Sequence, residues 1–224
     1  MTDQQFENLP EAAEPPPGET AEPFPWPPPR GEGVIASWGR TWRGASLRPA
    51  RFFGALPSHT PHGPALLYYL SIGIPVAGAN LFWRMIGLTV PAGTASALGM
   101  AGAWGPLIDF LTSPLTLLLT LYLAAGVTHL MLLLFGGAGG GAGTTARVFA
   151  YAYSPQLLGI VPVAGTIVGF VWMVVVAIIG LRAAHRTTTL RAGAAVLIPV
   201  AIGMFIAFLG LLLARSGELL RLLV

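Results

Sequence analysis

Five long apolar stretches constrain what this chain can fold into more than any other feature. They cover about residues 65–88, 114–135, 146–161, 163–181 and 192–214. An α-helix of about 20 apolar residues crosses a bilayer with all its backbone hydrogen bonds satisfied internally. We therefore predict an all-α fold: a polytopic membrane helical bundle with about five transmembrane helices and a disordered N-terminal tail. The composition agrees, since 54% of residues are hydrophobic and only 9% are charged.

Proline marks two places in this series. Ser113 and Pro114 form a helix-start signal, a hydroxyl cap followed by proline at the first helical position, so the second span is predicted to begin there. The Gly- and Ala-rich residues 89–112 are then a loop or a shallow interfacial segment. The third span is short and carries Pro155, which removes a backbone donor and frees a carbonyl one turn earlier. In lipid, such groups must be buried in protein or line a cavity.

The distribution of arginine predicts the orientation. All twelve basic residues are arginine, and membrane proteins keep basic residues on the cytoplasmic side. With a cytoplasmic N-terminus, five crossings place nine arginines inside and three outside, namely Arg84, Arg215 and Arg221. We predict a protein of the cell inner (cytoplasmic) membrane with its N-terminus in the cytoplasm. A re-entrant third segment would change the side on which the C-terminus lies.

Residues 1–33 are predicted to be a disordered, acidic, proline-rich cytoplasmic tail. Seven of the nine acidic residues and nine of the twenty prolines fall there. Proline and uncompensated charge both prevent packing of such a segment. The tail is either a solubilising segment or a docking peptide for a protein partner, and Phe24 and Trp26 are the argument for docking.

Residues 34–60 have the pattern of an amphipathic interfacial segment, followed by a transmembrane domain over 61–224. Aromatic residues lie on one helical face and arginines on the opposite one, as in helices that lie in the membrane interface. Pro49 is expected to divide the segment and open its second helix. The alternative is an ordinary helix packed against the membrane domain. The residues predicted to contact lipid are Trp38, Arg40, Trp42, Arg43, Arg51, Phe52 and Phe53.

Several kinds of chemistry are excluded by missing residue types. The chain has no cysteine and no lysine, which excludes thiol nucleophiles, disulfides and a phosphate-loop lysine. The Gly-rich run over 136–143 is therefore a linker, and no H-E-x-x-H zinc motif occurs. We predict no enzymatic activity and no cofactor or metal, and no nucleic-acid partner because the arginines follow membrane topology.

Polar residues inside the spans form a candidate intramembrane polar site. His129 lies within the second span, where ionisable groups are rare and usually functional. Short helices interrupted by proline mark binding sites in some transporters. The alternative is structural, with hydroxyl groups satisfying the kink and His129 bonded across a helix interface. The candidate residues are His129, Arg147, Tyr151, Tyr153, Ser154, Pro155 and Gln156.

An ordered series of short motifs resembles the Ypt-interacting protein (Yip) family, in its bacterial form. The resemblance extends from about residue 47 to residue 213. Its parts are Leu47-Arg48-Pro49-Ala50-Arg51-Phe52-Phe53, Ser113-Pro114-Leu115, His129-Leu130, Thr145-Ala146-Arg147-Val148, Tyr151-Ala152-Tyr153-Ser154-Pro155-Gln156-Leu157, Pro162, Gly165, Trp172, Ile179-Gly180-Leu181 and His185.

This resemblance implies five transmembrane helices and a cytoplasmic N-terminus. Eukaryotic members of the family act in vesicle trafficking and bind small GTPases, and they carry an Asp-Leu-Tyr-Gly-Pro motif near the first span. The nearest match here, Ala103-Trp104-Gly105-Pro106, lacks the aspartate and precedes the second span. GTPase binding is therefore not carried over to this chain.

Two functional hypotheses follow. The first is a non-enzymatic membrane organiser or scaffold, anchored by the bundle, whose N-terminal region engages the lipid bilayer or a protein partner. The second is a small-solute channel or transporter with a polar site around the kinked third span.

Overall fold

The computed structural model describes residues 23–57, 61–88, 102 and 104–223, with side chains omitted at residues 211 and 213–223. The described part is helical and contains no strand, which confirms the all-α prediction. Its helices are α1 (Val34–Leu47), α2 (Pro49–Gly54), α3 (His62–Met85), α4 (Gly105–Leu134), α5 (Gly141–Ala152), a 3₁₀ helix (Ser154–Ile160), α6 (Ala164–His185) and α7 (Thr189–Leu223).

Four of these helices are long and apolar enough to cross a membrane. They are α3, α4, α6 and the Thr189–Gly210 part of α7. The third predicted span is different, because it is divided into α5 and the 3₁₀ helix, and neither piece alone has the length of a crossing helix.

Hydrogen bonds at one end of the bundle show which helix ends lie together. The Gly140 N–H donates to Nδ1 of His185 at 3.0 Å. Arg191 Nη1 donates to the Gly136 carbonyl at 3.0 Å. These bonds bring the end of α4, the start of α5, the end of α6 and the start of α7 together. We call this the linker end, since it contains the Gly-rich linker.

The opposite end of the bundle shows that the third segment crosses completely. Trp83, near the end of α3, donates from Nε1 to the Ile160 carbonyl at 2.8 Å. Arg84 forms an ion pair with Asp109, near the start of α4. Because α5 begins at the linker end and the 3₁₀ helix finishes here, this segment is a crossing and not a re-entrant hairpin. Within the described ranges, the chain thus passes five times between the two ends.

Close backbone contacts hold α6 against the broken crossing. A Cβ atom on Gly165 would lie 1.9 Å from the Leu158 carbonyl oxygen, and one on Gly169 would lie 2.9 Å from the Pro155 oxygen. Only a residue without a side chain fits at such distances. Small residues at these positions let two backbones approach inside a membrane domain, where close packing drives helix association.

The predicted start of the second span is wrong. Helix α4 begins at Gly105, with Pro106 in its first turn, and Pro114 lies inside the helix. Residues 105–112 are therefore helical, whereas 89–101 lie outside the described residues. The Arg84–Asp109 ion pair gives the physical reason, because it stabilises this extra length of α4 against α3.

Helices α1 and α2 pack along the side of the bundle. Pro49 opens α2 as predicted. The Phe53 ring is 1% exposed and packs on Gly180 of α6, and Phe52 is also buried. Phe53 therefore fills the space between α2 and the bundle and does not face lipid, which corrects the prediction for that residue. Lipid contact by Phe52 stays a prediction. The packed-helix alternative holds for the aromatic side of the segment.

A described part of the predicted tail also packs on the bundle. We call residues 23–32 the strap. The Phe24 ring lies 4.9 Å from that of Phe52, and Trp26 Nε1 donates to the Pro64 carbonyl at 2.7 Å. Phe24 and Trp26 therefore bind their own chain, which corrects the prediction of disorder for this part. Residues 1–22 lie outside the described residues, and their disorder stays a prediction.

The backbone contact at Gly165 gives a stability prediction. Gly165→Ala should lower the free energy of unfolding by about 1–3 kcal/mol, because the added methyl group overlaps the Leu158 carbonyl. Thermal unfolding in detergent measures the effect. Gly193→Ala in α7 is the control, since its Cβ meets nothing within 4 Å and alanine favours a helix. Equal stability of the two variants would contradict the close approach.

Candidate functional site

The seven residues of the candidate polar site do not form one site. His129 and Arg147 lie towards the linker end, on α4 and α5. The other five, Tyr151, Tyr153, Ser154, Pro155 and Gln156, surround the break between α5 and the 3₁₀ helix. We call the second group the kink cluster.

A hydrogen-bonded chain joins two histidines through a threonine. Thr145 Oγ1 lies 3.0 Å from His129 Nδ1 and 3.0 Å from His185 Nε2. The Gly140 N–H can only donate, so His185 Nδ1 accepts and carries no proton. His185 is therefore neutral, with its proton on Nε2. It donates to Thr145, whose hydroxyl is then free to donate to Nδ1 of His129.

Arg147 connects the start of α5 to the segment that precedes α3. Its side chain is 4% exposed. Nη1 donates to the Pro57 carbonyl at 2.7 Å, and Nη2 donates to Thr144 Oγ1 at 3.1 Å. A buried guanidinium needs such acceptors, because its desolvation is costly. Arg147 therefore holds the end of the α1–α2 region against α5.

The kink cluster is closed by hydrogen bonds within the protein. Ser154 is 0% exposed, and its Oγ donates to the Tyr151 carbonyl at 2.6 Å. Tyr68 OH lies 2.8 Å from Ser154 Oγ and therefore donates to it. Trp42 Nε1, from α1, donates to the Ser154 carbonyl at 3.0 Å. These bonds satisfy the Tyr151 and Ser154 carbonyls and the Ser154 hydroxyl at the break.

The remaining members of the kink cluster also contact neighbouring helices. The Tyr153 ring lies 4.5 Å from the ring of Tyr69, whose hydroxyl donates to the Leu117 carbonyl at 3.0 Å. Gln156 Nε2 lies 3.7 Å from Sδ of Met173. The cluster therefore ties α3, α4 and α6 to the third crossing.

The arrangement limits the chemistry that the site can perform. Among the residues described, no group of three or more His, Cys, Asp or Glu side chains could hold a metal ion. The two histidine rings lie 6.2 Å apart and share one threonine hydroxyl. With the His185 proton held on Nε2, this chain links α4, α5 and α6 by hydrogen bonds.

Sequence reasoning missed Thr145 and His185 as members of this network. His185 lies beyond the predicted fourth span, which ends at residue 181, whereas in the structure it is the last residue of α6 and 4% exposed. Both residues occur in the ordered motif series. Their contact joins positions 40 residues apart, so it depends on how α5 and α6 pack.

Comparison with known protein families identifies the family of this chain. The family model of the Yip1 domain matches residues 43–211. The chain belongs to the Yip1 domain family. No curated protein and no solved structure matches it.

The Yip1 domain match includes both polar clusters and every crossing. It begins inside α1, so the strap lies before the matched region. The resemblance to the Yip family inferred from the motif series is confirmed. In this Yip1 domain, those motifs supply the histidine chain at the linker end and the kink cluster between α5 and the 3₁₀ helix.

The histidine chain predicts that removing the Thr145 hydroxyl lowers the stability of the fold. Thr145→Val keeps the side-chain shape but leaves both histidines without this partner, which should cost about 1–3 kcal/mol of stability. The midpoint of thermal unfolding in detergent measures it. The control is Thr116→Val, because that hydroxyl is exposed and bonds only within its own helix. Equal midpoints would show that the chain contributes nothing to stability.

Proposed function

We propose that this Yip1-domain protein is a non-enzymatic membrane organiser. The bundle anchors it in the bilayer, and the N-terminal region engages lipid or a protein partner. The observation that carries the proposal is the packed kink cluster. Ser154 is fully buried, and Tyr68 and Trp42 donate hydrogen bonds at its position.

The kink cluster matters because it separates the two hypotheses. A transporter of the broken-helix type exposes unwound backbone to a hydrated site near the middle of the membrane. Here the Tyr151 and Ser154 carbonyls and the Ser154 hydroxyl bond protein atoms, so these groups need neither water nor solute. The role of the kink is then to hold neighbouring helices together, which favours an organiser.

The arginines support an inner-membrane location with a cytoplasmic N-terminus. Arg182, Arg186 and Arg191 lie at or beside the linker end, whereas Arg84 lies at the opposite end. Basic residues concentrate on the cytoplasmic side. We therefore assign the linker end to the cytoplasm. The start of α3 lies at this end, and the strap contacts it through the hydrogen bond from Trp26 to the Pro64 carbonyl, which supports a cytoplasmic N-terminus.

A small-solute channel or transporter is the second candidate. The histidine chain and the buried Arg147 favour it, because ionisable groups within membrane segments often mark proton or solute paths. The two candidates differ in whether water reaches the third crossing.

A single-cysteine experiment decides between them. The chain contains no cysteine, so Ser154→Cys introduces one thiol at the kink with little change in size. We expect no labelling by a membrane-impermeant thiol reagent in right-side-out or inverted vesicles. Ala142→Cys, at an exposed position beside the linker, is the control and should be labelled from the cytoplasmic side alone.

Each alternative result has a definite meaning. Labelling of Ser154→Cys from either side would show a water-filled cavity at the kink and favour transport. Labelling of Ala142→Cys from the outer side would reverse the proposed orientation.

A further inference from the structure

A basic groove lies between the strap and the α1–α2 pair. Its volume is about 610 Å³. This is within the range of sites that hold a small ligand, roughly 300–1,000 Å³. Arginine and apolar side chains share its walls. The lining side chains that matter here are Phe24, Arg40, Arg43, Leu47, Arg48, Arg51 and Phe52.

The groove has more positive charge than its surroundings neutralise. Arg40 forms an ion pair with Glu32 of the strap. Arg43, Arg48 and Arg51 are exposed, and within the described part of the chain no carboxylate pairs with them. Guanidinium groups bind phosphate through two parallel hydrogen bonds, which a planar fork presents without rearrangement. Three unpaired guanidiniums in one groove therefore fit a phosphate-bearing ligand.

The position of the groove indicates where that phosphate comes from. Trp172 Nε1 donates to the Ser46 carbonyl at 2.9 Å. Trp172 is nearly four turns from the linker end of α6, or roughly 20 Å along the helix. Helix α1 thus lies beside the membrane-crossing helices, and α2, whose Phe53 packs on Gly180, lies beside them nearer the linker end. Arginine at this level needs a counter-charge, since charged groups facing hydrocarbon are costly.

We propose that this groove binds the phosphate headgroup of an anionic phospholipid. Arg43, Arg48 and Arg51 hold the phosphate, and the acyl chains pass over Leu47, which is 61% exposed. The inference rests on the proposed membrane organiser and adds its lipid class and the residues that select it. Because Phe24 of the strap forms one wall, a bound headgroup also contacts the strap.

The apolar part of the groove argues against a soluble anion. Phe24 and Phe52 pack ring against ring at 4.9 Å and line the groove together with Leu47. A free phosphate gains nothing from such surfaces, whereas a phospholipid has apolar chains next to its headgroup. The alternative occupant of the groove is the set of acidic residues within 1–22. A variant without their charges distinguishes them from a phospholipid.

The test uses the full chain, purified in a mild detergent. Short-chain phosphatidylglycerol or phosphatidylcholine is titrated in, and mass spectrometry of the intact complex counts the lipids retained. We expect one phosphatidylglycerol per chain, bound at least tenfold more tightly than phosphatidylcholine. Arg43→Gln combined with Arg51→Gln should weaken binding by about tenfold or more, since each basic residue contributes attraction to anionic lipid.

A matched variant removes the same charge elsewhere. Arg182→Gln combined with Arg186→Gln takes two positive charges from the linker end and should leave phosphatidylglycerol binding unchanged. The pair Arg43→Lys and Arg51→Lys keeps the charge but loses the planar fork, so its affinity for phosphatidylglycerol should lie between those of the unchanged chain and of the glutamine pair. Circular dichroism and gel filtration establish that the variants keep the helical fold. Unchanged binding in the groove variant, or equal loss in both glutamine pairs, would overturn the proposal.

Two further arms identify a different occupant. Displacement of phosphatidylglycerol by an equal concentration of inorganic phosphate would assign the groove to a soluble anion and overturn the proposal. A second variant replaces the six acidic residues of 1–22 by their amides, namely Asp3→Asn, Glu7→Gln, Glu11→Gln, Glu14→Gln, Glu19→Gln and Glu22→Gln. If this variant binds the lipid at least tenfold more tightly, the tail is the occupant of the groove. These results are independent of Ser154→Cys labelling, so failure of the lipid site is distinguishable from failure of the organiser function.

Discussion

The interruption of the third crossing at Pro155 is the constraint on which the rest of the structure depends. A broken helix within a membrane leaves backbone groups that lipid cannot satisfy. The protein supplies the partners itself: Trp42 bonds the Ser154 carbonyl, and Tyr68 bonds the Ser154 hydroxyl. Gly165 and Gly169 then let α6 approach the broken segment closely. Helices α1, α3 and α6 thus all meet at the broken third crossing.

This constraint also explains why α1 belongs to the bundle. An amphipathic helix that lay only in the interface would keep its tryptophans among lipid headgroups. Here Trp42 donates to the kink, and Trp172 of α6 donates in return to the Ser46 carbonyl. The aromatic side is therefore structural, and the arginine side is left for ligands. Lipid contact by Arg40, Arg43 and Arg51 stays a prediction.

The sequence predicts the fold class and the crossings well, because apolar length and composition determine both. It also places Pro49 correctly, since proline has a strong local preference. The same rule gave a wrong helix start at Pro114, because the proline ring is tolerated inside α4. The helix begins earlier, where Arg84 pairs with Asp109. The pairing of His129 with His185 could not be predicted, because it requires the packing of α4, α5 and α6.

The kink cluster and the histidine chain have different structural roles. The kink cluster is buried and connects helices through side chains that have partners, so it stabilises one arrangement of the crossings. The histidine chain lies beside the linker and ends at the Gly140 N–H. It couples the ends of α4 and α6 to the start of α5, at the end where the strap also packs. The kink cluster keeps the crossings in one arrangement, and the histidine chain connects helix ends at the linker end. A partner or lipid bound at the linker end then contacts a fixed surface, as the proposed organiser requires.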